Sequence, residues 1–372
     1  MKRLSLFALL FISLHTFSQS KENVLKIMHQ SADYFQSLWP DTGMDIPGPD
    51  RVRPSNIWTR AVYYEGLMEL YKIDPLEKDL KYMLDWAENH RWNMRNGVGT
   101  RNGDDQACGQ IYLDLYKMYQ EPKMMANIKE NIDRMMASDK IDDWTWVDLF
   151  QMAMPVYARL ANITGDKQYL NRMHEMYAYT KNIHGGGGLY DKQEALWFRD
   201  KDFVLPYLEP NGEKCFWSRG NGWTIAALVR VLEQMDKKDP FRKEYEKDLV
   251  AMANALVKVQ REDGFWNTSL KDPNNYGGPE LTGTSLFVYG IAYGLNHGLL
   301  KGKGFEKAIL KGWEAMESSI HPNGFLGYIQ GTGKQPSDSQ PTGYNNVPNF
   351  VDFGPGCYLL GASEFFKYLD KK

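Results

Sequence analysis

Three short stretches of this 372-residue chain combine carboxylates, arginine and aromatic rings at spacings that could do chemistry. The first runs Asp142-Asp143-Trp144-Thr145-Trp146-Val147-Asp148-Leu149-Phe150-Gln151-Met152. Asp142 or Asp143 reads as a helix cap, a position that aspartate favours. Asp148 is different. It falls within the first turns, among Trp144, Trp146 and Phe150, neither a cap nor part of a charged face. Apolar neighbours raise a carboxyl pKa and suit it to donate a proton near neutrality. The alternative for Asp148 is a buried structural role, bonded to backbone. The second stretch is Thr100-Arg101-Asn102-Gly103-Asp104-Asp105-Gln106-Ala107-Cys108-Gly109. Two acids at a helix start are usually a cap and a dipole-favoured neighbour. Beside Asp148, however, Asp104 would supply the second carboxylate that glycoside chemistry commonly needs. The third stretch is Cys215-Phe216-Trp217-Ser218-Arg219-Gly220-Asn221-Gly222-Trp223. Arg219 between two tryptophans, next to glycines that let a ligand approach the backbone, reads as a carboxylate or sugar clamp. A plain aromatic–arginine stack is the alternative. No Walker lysine follows Gly220-Asn221-Gly222, so a phosphate cradle has little support, and the absence of a G-x-S-x-G elbow argues against Ser-His-Asp catalysis.

These residues need elements to hold them, and helix-period apolar patterns dominate the chain. The periodicity predicts helices over 22–38, 56–72, 76–90, 104–119, 122–138, 145–163, 166–182, 220–235, 240–260, 281–299, 302–319 and 355–369. The links between them are of two kinds. Short ones are turn-like, as at Ile73-Asp74-Pro75 or Thr164-Gly165-Asp166. Longer, often glycine-rich ones lie near Asp41, Asn96, Asp139, Gly188, Asp263 and Asn323. Alternating short and long links describe six helical hairpins, which closed on themselves make an all-α (α/α)6 barrel, a six-hairpin toroid. Each long link then feeds the amino-terminal end of an inner helix, so six such ends converge on one mouth. Orphan N–H groups and the helix dipole favour an anionic ligand there. The three stretches all lie at or just after such links.

Bulk composition narrows the function classes. A formal net charge of -3 leaves no basic excess for nucleic acid. Cys108, Cys215 and Cys357 are too far apart for a disulfide framework and make no C-x-x-C, so free buried thiols are expected. The seven histidines show no metal-ligand spacing, and no metal or cofactor is expected. Lys2 and Arg3, the apolar run Leu4 to Leu14, and Thr16-Phe17-Ser18 form a signal-peptide pattern over residues 1–20. That run is too short to span a bilayer. The expectation is an exported protein, periplasmic or secreted, with residues 21–372 as one catalytic barrel. Aromatics make up 13% of the chain, enough for sugar stacking as well as a core.

Taken in order, the three stretches resemble the unsaturated glycuronyl and rhamnogalacturonyl hydrolases, glycoside hydrolase families 88 and 105. Asp148 with Met152, Ala153 and Pro155 looks like that group's D-x-x-x-M-A-x-P helix, which carries its catalytic acid/base. Asp104 with Gly109 is similar to its second active-site Asp segment, and Phe216 to Trp223 closely resembles its F-W-x-R-G-N-G-W signature. Asn56-Ile57-Trp58-Thr59-Arg60 and Gly278 to Ser285 are looser matches. The resemblance implies the same barrel fold, an oligosaccharide partner ending in a 4,5-unsaturated uronic acid, and substrate contacts from Trp217, Arg219, Asn221, Trp223, Trp146, Met152, Trp58 and Arg60. One position departs. The family's His after the G-L-Y turn is missing from Gly188-Leu189-Tyr190-Asp191-Lys192, and Trp197 or Arg199 is expected to fill its space. The preferred sugar should therefore differ from the common rhamnogalacturonan disaccharide. Two further readings of the carboxylates stand beside this one: an inverting glycosidase on saturated sugars, and a non-catalytic sugar-binding toroid.

Overall fold

The computed structural model describes residues 20–47, 52–346 and 352–372. The signal-peptide pattern lies outside them except for Ser20, whose Oγ caps the first helix by accepting from the Asn23 N–H. The described residues form thirteen α-helices: α1 Lys21–Leu38, α2 Trp58–Ile73, α3 Glu77–Asn89, α4 Gly103–Gln106, α5 Gly109–Tyr119, α6 Lys123–Met136, α7 Asp148–Thr164, α8 Gln168–Asn182, α9 Ser218–Leu232, α10 Arg242–Lys258, α11 Leu281–Asn296, α12 Lys303–Ser319 and α13 Phe353–Asp370. Apart from ends shifted by up to three residues, the predicted helices differ by a break at Ala107 and Cys108, which separates α4 from α5. Both residues keep right-handed helical angles, so the axis is tightened rather than turned. The Gln110 N–H bonds to the Ala107 carbonyl, three residues back.

Burial separates two rings. Every residue of α9 is buried, and fourteen of the seventeen in α7, whereas only six of the seventeen in α10 are. Helices buried on all sides form an inner layer, and amphipathic ones cover it. By that criterion α2, α4–α5, α7, α9, α11 and α13 are inner, and α1, α3, α6, α8, α10 and α12 are outer. The inner helices pack in chain order, α2 on α5, α5 on α7, α7 on α9, α9 on α11, α11 on α13, and α13 back on α2. The ring closes. The protein is an (α/α)6 toroid of six outer–inner hairpins.

Small residues let the inner helices touch. A Cβ on Gly290 of α11 would lie 2.5 Å from Ile225 of α9, and one on Gly66 of α2 would lie 2.6 Å from the Gly356 carbonyl of α13. Gly165 ends α7 in the left-handed region, φ 75°, where a side chain is disfavoured. Backbone bridges join neighbouring long links, Trp146 to Asp200 between the third and fourth and Trp217 to Ser269 between the fourth and fifth, and Trp266 to Glu280 closes the fifth on itself. Two short strands, β1 Tyr190–Asp191 and β2 Leu196–Trp197, pair antiparallel in the fourth link, with Tyr190 opposite Trp197. Cys108, Cys215 and Cys357 are free and buried. Among the described residues no helix is long and apolar enough to cross a membrane.

Candidate active site

The heads of α4 and α7 carry the two carboxylates and lie against each other. A Cβ on Gly103 would sit 3.0 Å from Leu149 and 3.3 Å from Ala153. Asn102 rather than an aspartate caps α4, its Oδ1 accepting from the Asp104 N–H at 3.0 Å. Asp105 turns the other way. It is 1% exposed and accepts from Arg95, Asn96 and Thr100, tying down the second long link. Asp104 is left half-buried at the mouth. Burial pushes its carboxyl up to about 7, and the nearby charges of Asp148 and Asp105 push the same way, against Arg199 and Arg95.

Asp148 is the first residue of α7, and its surroundings differ from the aromatic shell expected of it. Trp144 and Phe150 face the core, edge to face at 6.0 Å, and pack on Tyr157 and Trp197. Asp148 instead accepts from the Arg199 Nε at 3.2 Å. Arg199 reaches across from the fourth long link, bonds Asp200 through Nη1 at 2.6 Å, and lies over the Trp146 ring at 5.3 Å. Its side chain is 18% exposed, so part of it still faces outward. Beside it a cleft of about 290 Å³ is lined by residues that include Trp146, His184, Arg199, Asp200 and Asp202. Asp142 and Asp143 do not cap α7. Asp143 pairs with Arg101 through both oxygens, at 2.8 and 2.5 Å, joining the second and third links, and Asp142 pairs with Lys140.

The third stretch folds inward. Arg219 is 1% exposed, with Nη1 and Nη2 donating to the carbonyls of Gln330 and Gly331 at 2.6 and 2.8 Å. Its guanidinium lies over Trp217 at 4.6 Å and Phe353 at 4.9 Å, rather than between Trp217 and Trp223. These contacts engage Nη1 and Nη2, while Nε is buried with no hydrogen-bond partner among the described residues. Gly220 and Gly222 serve packing rather than ligand approach, since a Cβ on them would meet Trp217 or Leu286 at 3.0 Å. Asn221 bonds the Trp197 N–H and carbonyl and the Trp217 carbonyl, a splint between the fourth link and α9. Trp197, Trp223 and Met152 are wholly buried. Arg60 is too, pairing with Asp352 at 2.9 Å and lying over Trp39 at 4.4 Å. Trp58 is half-buried and stacks on Phe353 at 5.5 Å.

The structure therefore brings Asp104, Asp148, Arg199 and Trp146 together, with Trp58 partly open, and draws the other candidates into the wall. Sequence reasoning missed Asp200, His184, Gln330 and Phe353. Gln330 is a hub: it accepts from the Trp217 Nε1 at 2.8 Å and donates to the Asp338 carbonyl at 2.7 Å. Each of these residues lies in or beside a long link without periodicity, so no spacing marked it. Among the described residues no group of three metal-ligating side chains occurs.

Comparison with known proteins places this arrangement. The model of Glycosyl Hydrolase Family 88 matches residues 27–369. A curated relative, the unsaturated 3S-rhamnoglycuronyl hydrolase of Formosa agariphila, is 30% identical over 83% of this chain and 84% of its own. A solved glycosyl hydrolase family 88 structure from Bacteroides vulgatus is 32% identical, covering 94% of this chain and 100% of that one, with a TM-score of 0.85. A second solved structure, described as a polysaccharide lyase, is 30% identical over 95% of this chain and 99% of its own, with a TM-score of 0.86.

Proposed function

The chain belongs to glycosyl hydrolase family 88, and from that premise we propose that it removes a terminal 4,5-unsaturated uronic acid from lyase-generated oligosaccharides. The observation that carries this reading is the adjacency of Asp104 and Asp148 at the mouth, with a partly open arginine and tryptophan beside them. Asp148 donates a proton to C4 of the enol ether, and the C4=C5 electron pair becomes the new C–H bond. The ring oxygen stabilises the positive charge left at C5. Water adds at C5 and returns its proton to the Asp148 carboxylate. The resulting hemiketal opens, leaving a ketone at C5 and a hemiacetal at C1 that expels the remaining oligosaccharide as an alcohol. Arg199 receives the uronate carboxylate, a pairing its planar fork favours. That carboxylate competes with Asp148 for the guanidinium, and the proton held on Asp104 up to about 7 is available to the pair. The half-buried rings of Trp146 and Trp58 suit the apolar faces of a sugar. General acid/base action of this kind contributes ~10²–10⁴-fold.

The test is the ultraviolet absorbance of the conjugated double bond. With lyase-generated uronate oligosaccharides the absorbance should fall on adding enzyme. A rise with an intact uronate polysaccharide would instead identify an eliminating enzyme, as the lyase description of one relative would have it. Release of saturated sugars with no change in absorbance would point to an inverting glycosidase. The same reading puts the enzyme outside the cytoplasm, supported by the basic and apolar pattern of residues 2–18. Cell fractionation checks it, and retention in the cytoplasm would reject it.

A further inference from the structure

Outside the mouth, a concave surface lies between α8, the β1–β2 hairpin and α10. It encloses about 660 Å³, and among the residues lining it are Lys181, Lys192, Lys243 and Lys247 against two acids, Glu244 and Asp248. Lys181 is buried and satisfies both acids, with Glu244 at 2.8 Å and Asp248 at 2.5 Å. Lys192, Lys243 and Lys247 are exposed and have no ion-pair partner among the described residues. Some helical lysines are paired one turn away, as in Lys81–Asp85 and Lys129–Asp133. Lys243 and Lys247 instead set like charges four residues apart, a spacing that costs helix stability. Overall composition does not explain this cluster, because the chain carries a formal net charge of -3.

The groove is also long. It shares Tyr190 and Lys192 with a neighbouring groove of about 410 Å³, bedded on Gly185 to Gly188. A Cβ on Gly186 or Gly187 would meet nothing within 4 Å, so that bed is open. Three unpaired ammonium groups along such a track suit a multivalent anion rather than a single sulfate or phosphate. Tyr190, the aromatic residue shared by both grooves, packs on Trp197 at 5.0 Å with the Lys181 Nζ over its ring, which leaves a poor platform for stacking bases. We infer that this surface is a second binding site, for a polyanionic carbohydrate chain bearing carboxylate or sulfate groups. The choice of carbohydrate rests on the uronate reading above. Holding the polymer here raises the local concentration of chain ends near the mouth.

Binding is tested with dextran sulfate, by affinity electrophoresis of the full chain at low salt, where exposed charges are least screened. The variant Lys192→Gln/Lys243→Gln/Lys247→Gln should lose about tenfold or more in affinity, since each lysine–anion contact also releases counterions. The control Lys301→Gln/Lys303→Gln/Lys307→Gln, with the same change in net charge, should bind as the wild type, and uncharged dextran should bind neither. Equal losses in the two variants, no binding by the wild type, or equal binding of single-stranded DNA would each overturn the proposal. Turnover of an unsaturated disaccharide should be unchanged in the groove variant. If the wild type lacks that turnover while the groove variant alone loses dextran sulfate, the uronate reading fails and the polyanion site stands.

Discussion

The heads of α7 and α9 look alike in sequence and differ in use. Each places a tryptophan two residues before a charged residue, Trp146 and Asp148 in one, Trp217 and Arg219 in the other. At the head of α7 the charged pair Asp148–Arg199 keeps part of its surface outward, with side chains 12% and 18% exposed. At the head of α9 Arg219 is sealed between two rings and bound to two backbone carbonyls. A buried guanidinium must be satisfied where it lies, because an unpaired charge in the interior is costly. The lesson is that a charged residue among aromatics can mark either a reacting group or a tie-bar. What separates the two is exposure, since each guanidinium has two nitrogens engaged but only Arg199 keeps surface outward.

The largest effect is expected at the α7 head. Asp148→Asn should lower turnover by ~10²–10⁴-fold, the scale of lost general acid/base action, with Tm little changed. An Asn variant near the wild-type rate would remove Asp148 from the mechanism and dissolve the contrast between the two heads. Arg219→Lys should act through the fold instead. Lysine keeps the charge but cannot reach two carbonyls in one plane, a loss of about 1.5–3 kcal/mol for a bond made by a charged group, read as a lower Tm. Should KM rise while Tm holds, Arg219 is a clamp after all. Arg199→Gln reverses that pattern. KM for the unsaturated substrate should rise by roughly 10–100-fold, the same energy spent on binding, with Tm nearly unchanged.

The smallest effect concerns pH. Burial disfavours the charged form of Asp104, so its proton stays on up to about 7. A rate that needs this proton falls as pH rises through about 7, by at most about tenfold per unit. Asp104→Asn should lower kcat more than it raises KM, and the residual rate should lack that alkaline limb. Stability carries the same sign. The fold binds the proton more tightly than the unfolded chain does, so this contribution is full below the ordinary carboxyl range and is lost as pH rises through about 7. Thermal melts of wild type and Asp104→Asn should therefore diverge over that interval. Parallel melts would mean that Asp104 ionises freely at the mouth.

Much of this was legible beforehand, for identifiable reasons. The inner helices are buried on nearly all sides, and α9 reads as apolar from Trp223 to Leu232 with Arg230 the one charge among them. The break after Gln106 was not legible, since Ala107 and Cys108 are compatible with a continuous helix. Asp142 and Asp143 misled because a capping residue is recognised by local preference, whereas Asp143 is claimed by Arg101, forty-two residues away. His184 sits before a run of four glycines, where neither periodicity nor a motif marks a histidine.

By itself the sequence determined the helices, the alternation of short and long links, and hence a closed toroid with the charged stretches at one mouth. Those are local properties, set by apolar period and turn chemistry within a few residues. Only the tertiary structure decided which charges remain available. Arg199 meets Asp148 across fifty-one residues, Gln330 and Gly331 claim Arg219 across more than a hundred, and Asp104 is pushed up to about 7 because α4 is packed against α7. Burial and pairing belong to the neighbours a side chain acquires on folding, and those neighbours are written far away in the chain.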